Sequence, residues 1–129
     1  MKRLRPAPAI LELEEKRKLP PPQLKAREAE LILGAVPAGA VLVALDERGQ
    51  GWSSRDLAER LTAWRDRGAA VLAFAIGGPD GLAPTVTERA DAVVSLGAMT
   101  WPHLMVRSLL FEQLYRAQQI AAGHPYHRD

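Results

Sequence analysis

The stretch AAVLAFAIGGPDG, residues 69–81, passes from eight apolar residues straight into a loop of glycine, proline and one aspartate. A run this short and continuously apolar, with Gly68 before it and Gly77 after it, reads as a strand covered on both faces. It is expected to be a central strand, ending in a tight loop with few side chains. Working outward, AVLVAL (40–45), set between PAGA and DERGQG, has the same character, and AVVSL (92–96) is a third strand that opens into GAMTWP (97–102). Helices separate these runs. Ser53 or Ser54 caps RDLAERLTAWRDR, whose Leu57, Leu61 and Trp64 share one face before Gly68 stops it. A short helix covers TVTERA, and a long one runs from about His103 to Ala122. Upstream, Pro22 sits in the first turn of a helix through QLKAREAELIL, with Gly34 as its C′ residue. AILELEE (9–15) alternates apolar and acidic residues, the period of a half-exposed strand. Strand and helix alternate throughout, so the fold class is α/β: a mostly parallel sheet with helices on both faces.

The length of 129 residues fits one domain, 1–129, and an apolar fraction of 47% is enough for a core. With no cysteine, disulfides, thiol catalysis and cysteine-based metal sites are excluded. No run approaches the ~18 apolar residues of a spanning helix, and the start MKRLRPAPAILELEEKRKL lacks the uninterrupted apolar core of a signal peptide. A cytoplasmic protein is expected. A net charge of +2 says little about a polyanionic partner, although residues 1–28 hold eight of the seventeen Lys and Arg.

In open α/β sheets ligands bind beyond the carboxyl ends of the strands, where IGGPDG and SLGAMTWP fall, and glycine there lets backbone approach a ligand. Taken alone, GGPDG reads equally well as a simple turn. It is not G-x-G-x-x-G and lacks the Lys-Ser/Thr of a P-loop, so neither dinucleotide nor nucleoside triphosphate binding is supported. No nucleophile elbow is present for serine-histidine-aspartate catalysis. The last helix is apolar around much of its circumference, from Leu104, Met105 and Val106 to Leu114, Tyr115 and Ile120. A helix on a monomer needs one apolar stripe, so this width points to packing on a second subunit as well as on its own sheet. Arg116 follows Glu112 by one turn, which leaves it equally open to an intrahelical ion pair and to a functional role. The tail GHPYHRD (123–129) contains His124-x-x-His127, a weak metal pattern with no acidic partner in register. Tyr126, His127 and Arg128 together suit a nucleotide better, with an aromatic face for a base and a guanidinium for a phosphate.

Taken in order, IGGPDGL, SLGAMTWPHLMVR, EQLYRA and the terminal HPYHRD closely resemble the RlmH family, of the SPOUT (trefoil-knot) class of methyltransferases. LVALDERGQGWSS and AREAELIL are weaker matches, and the likeness spans roughly residues 9–129. It implies a C-terminal trefoil knot, a homodimer, and methylation by S-adenosylmethionine of N3 of a pseudouridine in 23S (large-subunit) ribosomal RNA within the assembled ribosome. By the same resemblance the methyl donor is held, without a metal, by Leu45, Gly77 and Gly78 and by the run Gly97, Ala98, Met99, Thr100, Trp101 and Pro102. His103, Arg116, Tyr126, His127 and Arg128 match positions that face the substrate.

Family members usually begin with a strand, a GK turn and a helix, about 25 residues that MKRLRPAP replaces here. A non-catalytic relative that only docks on ribosomal RNA is therefore the rival reading. For the enzyme, Arg116 and Arg128 are expected to hold the target and Tyr126 to position the base. The N3 proton is left to His103, to His127 or to water, because an imidazole titrates near neutrality but sequence does not choose between them.

Overall fold

The computed structural model describes residues 20–77, 81–97 and 103–123. In chain order its elements are α1 (Pro21–Ala35), β1 (Val41–Gly51), α2 (Ser54–Asp66), β2 (Leu72–Ile76), α3 (Pro84–Arg89), β3 (Ala92–Ser95) and α4 (His103–Ala121). The three strands form one parallel sheet in the order β2-β1-β3. Val41 to Leu45 pair with Leu72 to Ile76 on one side, and Val43 to Leu45 pair with Ala92 to Val94 on the other.

Local chemistry sets the helix ends. The prolines at the start of α1 occupy positions whose N–H groups would have no partner in the helix anyway. At α2, the Ser53 hydroxyl accepts from the Asp56 N–H at 3.0 Å while the Asp56 carboxylate accepts from the Ser53 N–H at 3.0 Å, a reciprocal capping box. Gly68, at φ +90°, ends the same helix in a conformation that side-chain-bearing residues rarely adopt.

β1 explains the layering. Its side chains alternate, so Val43 and Leu45 join Leu57, Leu61, Trp64, Val94, Leu110 and Ala117 on the α2/α4 face. Leu42 and Ala44 join Ala29, Ala75, Leu82 and Val86 on the α1/α3 face. Leu42, Val43 and Ala44 are all at most 1% exposed, so helices do cover both faces. Each of the larger two contributes roughly 1.5–3 kcal/mol by burial.

Three local expectations change. The central position among the described strands belongs to β1, and β2 flanks it. A continuous apolar run reports coverage of both faces, whereas rank within a sheet depends on which strands pair, and the run AILELEE lies outside the described residues. Gly34 lies inside α1 rather than after it. The helix stops instead at Val36, which is extended (φ −79°, ψ 119°) because the following Pro37 disfavours the helical region there. The segment DERGQG, expected to bound a strand, is carried within β1. Leu45 and Gln50 share Val94 as partner, so residues 46–49 step out of register before pairing resumes.

Candidate active site at the carboxyl ends of the strands

Leu45 closes the first stretch of regular pairing in β1, and Gly77 and Gly97 follow the ends of β2 and β3 on either side of it. Leu45 pairs with Ile76, the residue before Gly77, and with Val94, three residues before Gly97. After β1 the chain leaves for α2 on one face, and after β2 it leaves for α3 on the other. The two connections therefore lead to opposite faces of the sheet beyond Leu45 and Gly77, the region in which open α/β sheets bind ligands.

The Leu45 side chain is buried in the α2/α4 core, and its backbone pairs with Ile76 of β2 and Val94 of β3. Gly77 is packed tightly: a Cβ there would lie 2.6 Å from the Gly81 carbonyl carbon and 2.8 Å from the Leu82 nitrogen. Gly97 holds φ +118° and is tied to Ser95, whose hydroxyl accepts from the Gly97 N–H at 3.0 Å and donates to its carbonyl at 2.9 Å. A ligand read chiefly through backbone groups fits such a place, as the donor expected from the sequence would be. Gly78, Ala98, Met99, Thr100, Trp101 and Pro102 lie outside the described residues.

One group at these ends escaped the sequence reading. Asp46, next to Leu45, has a side chain only 5% exposed and accepts three bonds from Arg48: from its N–H at 2.9 Å, Nε at 3.1 Å and Nη2 at 3.1 Å. The Arg48 guanidinium holds the Asp46 carboxyl below its ordinary range, against the opposing pull of burial, and Lys25 of α1 adds a smaller effect in the same direction. The signal was an acid at the very end of an apolar strand with an arginine two residues on.

Among the residues expected to face the substrate, His103 begins α4 and Arg116 lies on it. Thirteen residues at a rise of 1.5 Å separate their backbones by about 20 Å. Arg116 takes the ion pair: Nε and Nη2 donate to Glu112 Oε1 at 2.9 and 2.6 Å. That bond fixes the guanidinium at a partly buried place on the helix without removing it from chemistry. Tyr126, His127, Arg128 and the second histidine of the tail, His124, lie outside the described residues.

The faces of α4 are unequal. Val106, Leu110, Leu114, Ala117 and Ile120 pack into the α2/α4 core, whereas Met105, Leu109, Phe111 and Tyr115 belong to neither core cluster. Met105, Leu109, Glu112 and Arg116 follow the i, i+4, i+7, i+11 spacing of a single helical face, so Arg116 shares a face with the unabsorbed apolar residues.

The described fold is a parallel α/β sheet with helices on both faces, and sequence comparison supplies its class. The family described as "Predicted SPOUT methyltransferase" matches residues 1–127, and the chain belongs to the SPOUT methyltransferases. Three relatives carry the name ribosomal RNA large subunit methyltransferase H. That of Paramagnetospirillum magneticum is 58% identical, over 98% of this chain and 84% of its own length. The Rhodospirillum centenum protein is 57% identical over 92% and 78%, and the Rhodospirillum rubrum protein 52% identical over 98% and 84%. Within the SPOUT class the chain is thus a member of the ribosomal RNA large subunit methyltransferase H family. Among the described residues no helix is long and apolar enough to cross a membrane.

Proposed function

We propose that the chain is a cytoplasmic enzyme that transfers a methyl group from S-adenosylmethionine to N3 of a pseudouridine in large-subunit ribosomal RNA on the assembled ribosome. The observation that carries this is membership of a family whose named relatives are ribosomal RNA methyltransferases, and the register that sets Leu45 between the strands leading to Gly77 and Gly97 fits it. In this reading Leu45, Gly77, Gly78 and the run 97–102, folded as the trefoil knot of the class, hold the methyl donor. The donor supplies an electrophilic methyl group. The protein's part is then to aim the N3 lone pair along the line of displacement, to strip water and to take up the N3 proton.

The spacing on α4 argues for two chains per site. His103 and Arg116 stand about 20 Å apart along one helix, too far to touch the same base from one chain. A homodimer built on the Met105/Leu109 face brings one subunit's strand-end loops and His103 to the other subunit's Arg116 and tail. There Arg116 and Arg128 favour the developing ring anion, and Tyr126 positions the base. His103 or His127 receives the proton.

The deciding experiment incubates the purified chain with large-subunit-containing ribosomes and methyl-labelled S-adenosylmethionine, followed by nucleoside analysis. Label in 3-methylpseudouridine supports the reading. Donor binding without any transfer to ribosomes overturns it in favour of a non-catalytic docking protein.

A further inference from the structure

A second concavity lies beside the last residues of β1. It is an open groove of about 460 Å³ along β3, with Arg48, Gln50, Trp52 and Arg60 on its walls and residues 90–93 along its floor. The groove adjoins the expected donor site, because Val93 precedes Val94, the partner of Leu45, and Arg48 holds Asp46, but it takes in none of Leu45, Gly77 and Gly97.

Its arginines are prepositioned. The Arg60 guanidinium stacks over the Trp52 ring at 5.3 Å, and the ring is itself set against Trp64 at 6.4 Å and donates from Nε1 to Gln50 Oε1 at 3.4 Å. Arg60 has no carboxylate partner among the described residues, so its N–H groups are not engaged by an acid while its guanidinium rests on the ring. Arg48, 71% exposed, uses Nε and Nη2 on Asp46 and keeps Nη1 for something else. The acids nearby weaken this field only in part. Asp91 is engaged by the Leu42 N–H at 2.9 Å and by Arg89 at 3.5 Å, while Glu47 opposes the charge of Arg48.

We propose that this groove is an accessory docking site for the sugar-phosphate backbone of ribosomal RNA, with Arg60 and Arg48 as the phosphate contacts, flanking the nucleotide that enters the strand-end site. Planar guanidiniums held at fixed angles suit phosphate oxygens, and contacts of this kind set register and orientation without reading sequence. A chain of net charge only +2 gains little from bulk attraction, so local prepositioned cations matter more. The inference rests on the ribosomal RNA reading above.

The test is co-sedimentation of the chain with large ribosomal subunits over a salt series, comparing the parent with Arg60→Glu, Arg60→Gln and Arg60→Lys. Donor affinity and thermal midpoint are measured beside it. Arg60→Glu should weaken association about tenfold and Arg60→Gln about threefold, with a shallower salt dependence, while Arg60→Lys retains most of it and donor affinity stays at the parent value. Parent-like association of Arg60→Glu overturns the groove, and if that variant also methylates ribosomes normally the methyltransferase reading stands without it. Loss of association on Arg60→Glu, in a chain that transfers no methyl group, keeps the groove and removes the enzyme. On intact subunits, a photo-crosslinker at position 60 that labels ribosomal protein and no ribosomal RNA assigns the groove to a ribosomal protein and overturns the proposal.

Discussion

Gly77→Ala is the most informative single change, because its effect can be worked out from two distances. The new methyl carbon would sit 2.6 Å from the Gly81 carbonyl carbon and 2.8 Å from the Leu82 nitrogen, and both obstacles are backbone. Restoring van der Waals contact requires the Gly81–Leu82 peptide to retreat by roughly 0.8 Å or more, and a close-packed interior does not yield that cheaply. Leu82 cannot move alone, since it is 2% exposed and packed with Val86 and Leu42 in the α1/α3 core. Overpacking of this kind costs about 1–3 kcal/mol. In a chain of this size that lowers the melting temperature by roughly 4–12 °C. The same displacement shifts the loop that ends β2 by most of an ångström, enough for a loss of roughly 10²-fold in turnover where positioning supplies the rate. Gly81→Ala is the internal comparison. Its Cβ would meet nothing within 4 Å, so only its φ of +79° is penalised, at about 1–2 kcal/mol. Differential scanning calorimetry and titration with S-adenosylmethionine read both variants. A Gly77→Ala protein with the parent's midpoint and donor affinity would refute the packing argument and the place of Gly77 in the donor site together.

Other perturbations test separate parts of the structure. Asp46 has a folded-state pKa below the unfolded value near 3.8, so its pairing with Arg48 stabilises the fold above that pH and is lost as pH falls through the lower, folded value. Asp46→Asn should therefore show a flatter acid-unfolding profile below about pH 4 in circular dichroism; an unchanged slope would assign acid sensitivity elsewhere. Ser53→Ala removes the hydroxyl half of the α2 capping box and should cost about 1 kcal/mol in urea unfolding. Met105→Glu places a charge on a side chain 46% exposed, and should leave the thermal midpoint of the isolated fold nearly unchanged while shifting sedimentation from dimer to monomer and abolishing methylation. Full activity from that monomer would exclude a site shared between subunits.

Much of the architecture was legible because its causes are local. The apolar runs at 40–45, 69–76 and 92–96, the Ser53 cap and the Gly68 stop each act within a few residues of themselves, and strands and helices fall where they indicate. What escaped depends on distant partners. DERGQG carries turn residues, and its strand character comes only from lying beside β3, where a Cβ on Gly49 would be 2.7 Å from the Val93 carbonyl. Nothing in the run of β2 states that β1 would lie between the other two described strands. The site divides in the same way. Leu45, Gly77 and Gly97 were singled out by family resemblance, and the strand register sets the first between the strands that lead to the other two. Arg48, Trp52 and Arg60 share no periodicity and meet only through the turn that joins β1 to α2.

The hydroxyl of Ser54 donates to Gln113 Oε1, which fastens the first turn of α2 to the middle of α4. Ser54 is two residues past Trp52 and three past the end of β1, and Gln113 adjoins Glu112, the partner of Arg116. A single side-chain bond thus acts as a strut between the helix that carries the proposed subunit contact and the segment that carries Asp46. Rotation of α4 on meeting another copy would pull on that segment, so assembly and pocket shape become thermodynamically linked quantities. For the proposed dimer and donor site, reciprocity requires that any factor by which assembly changes donor binding equals the factor by which the donor changes assembly, and Gln113→Ala should move both factors equally toward one.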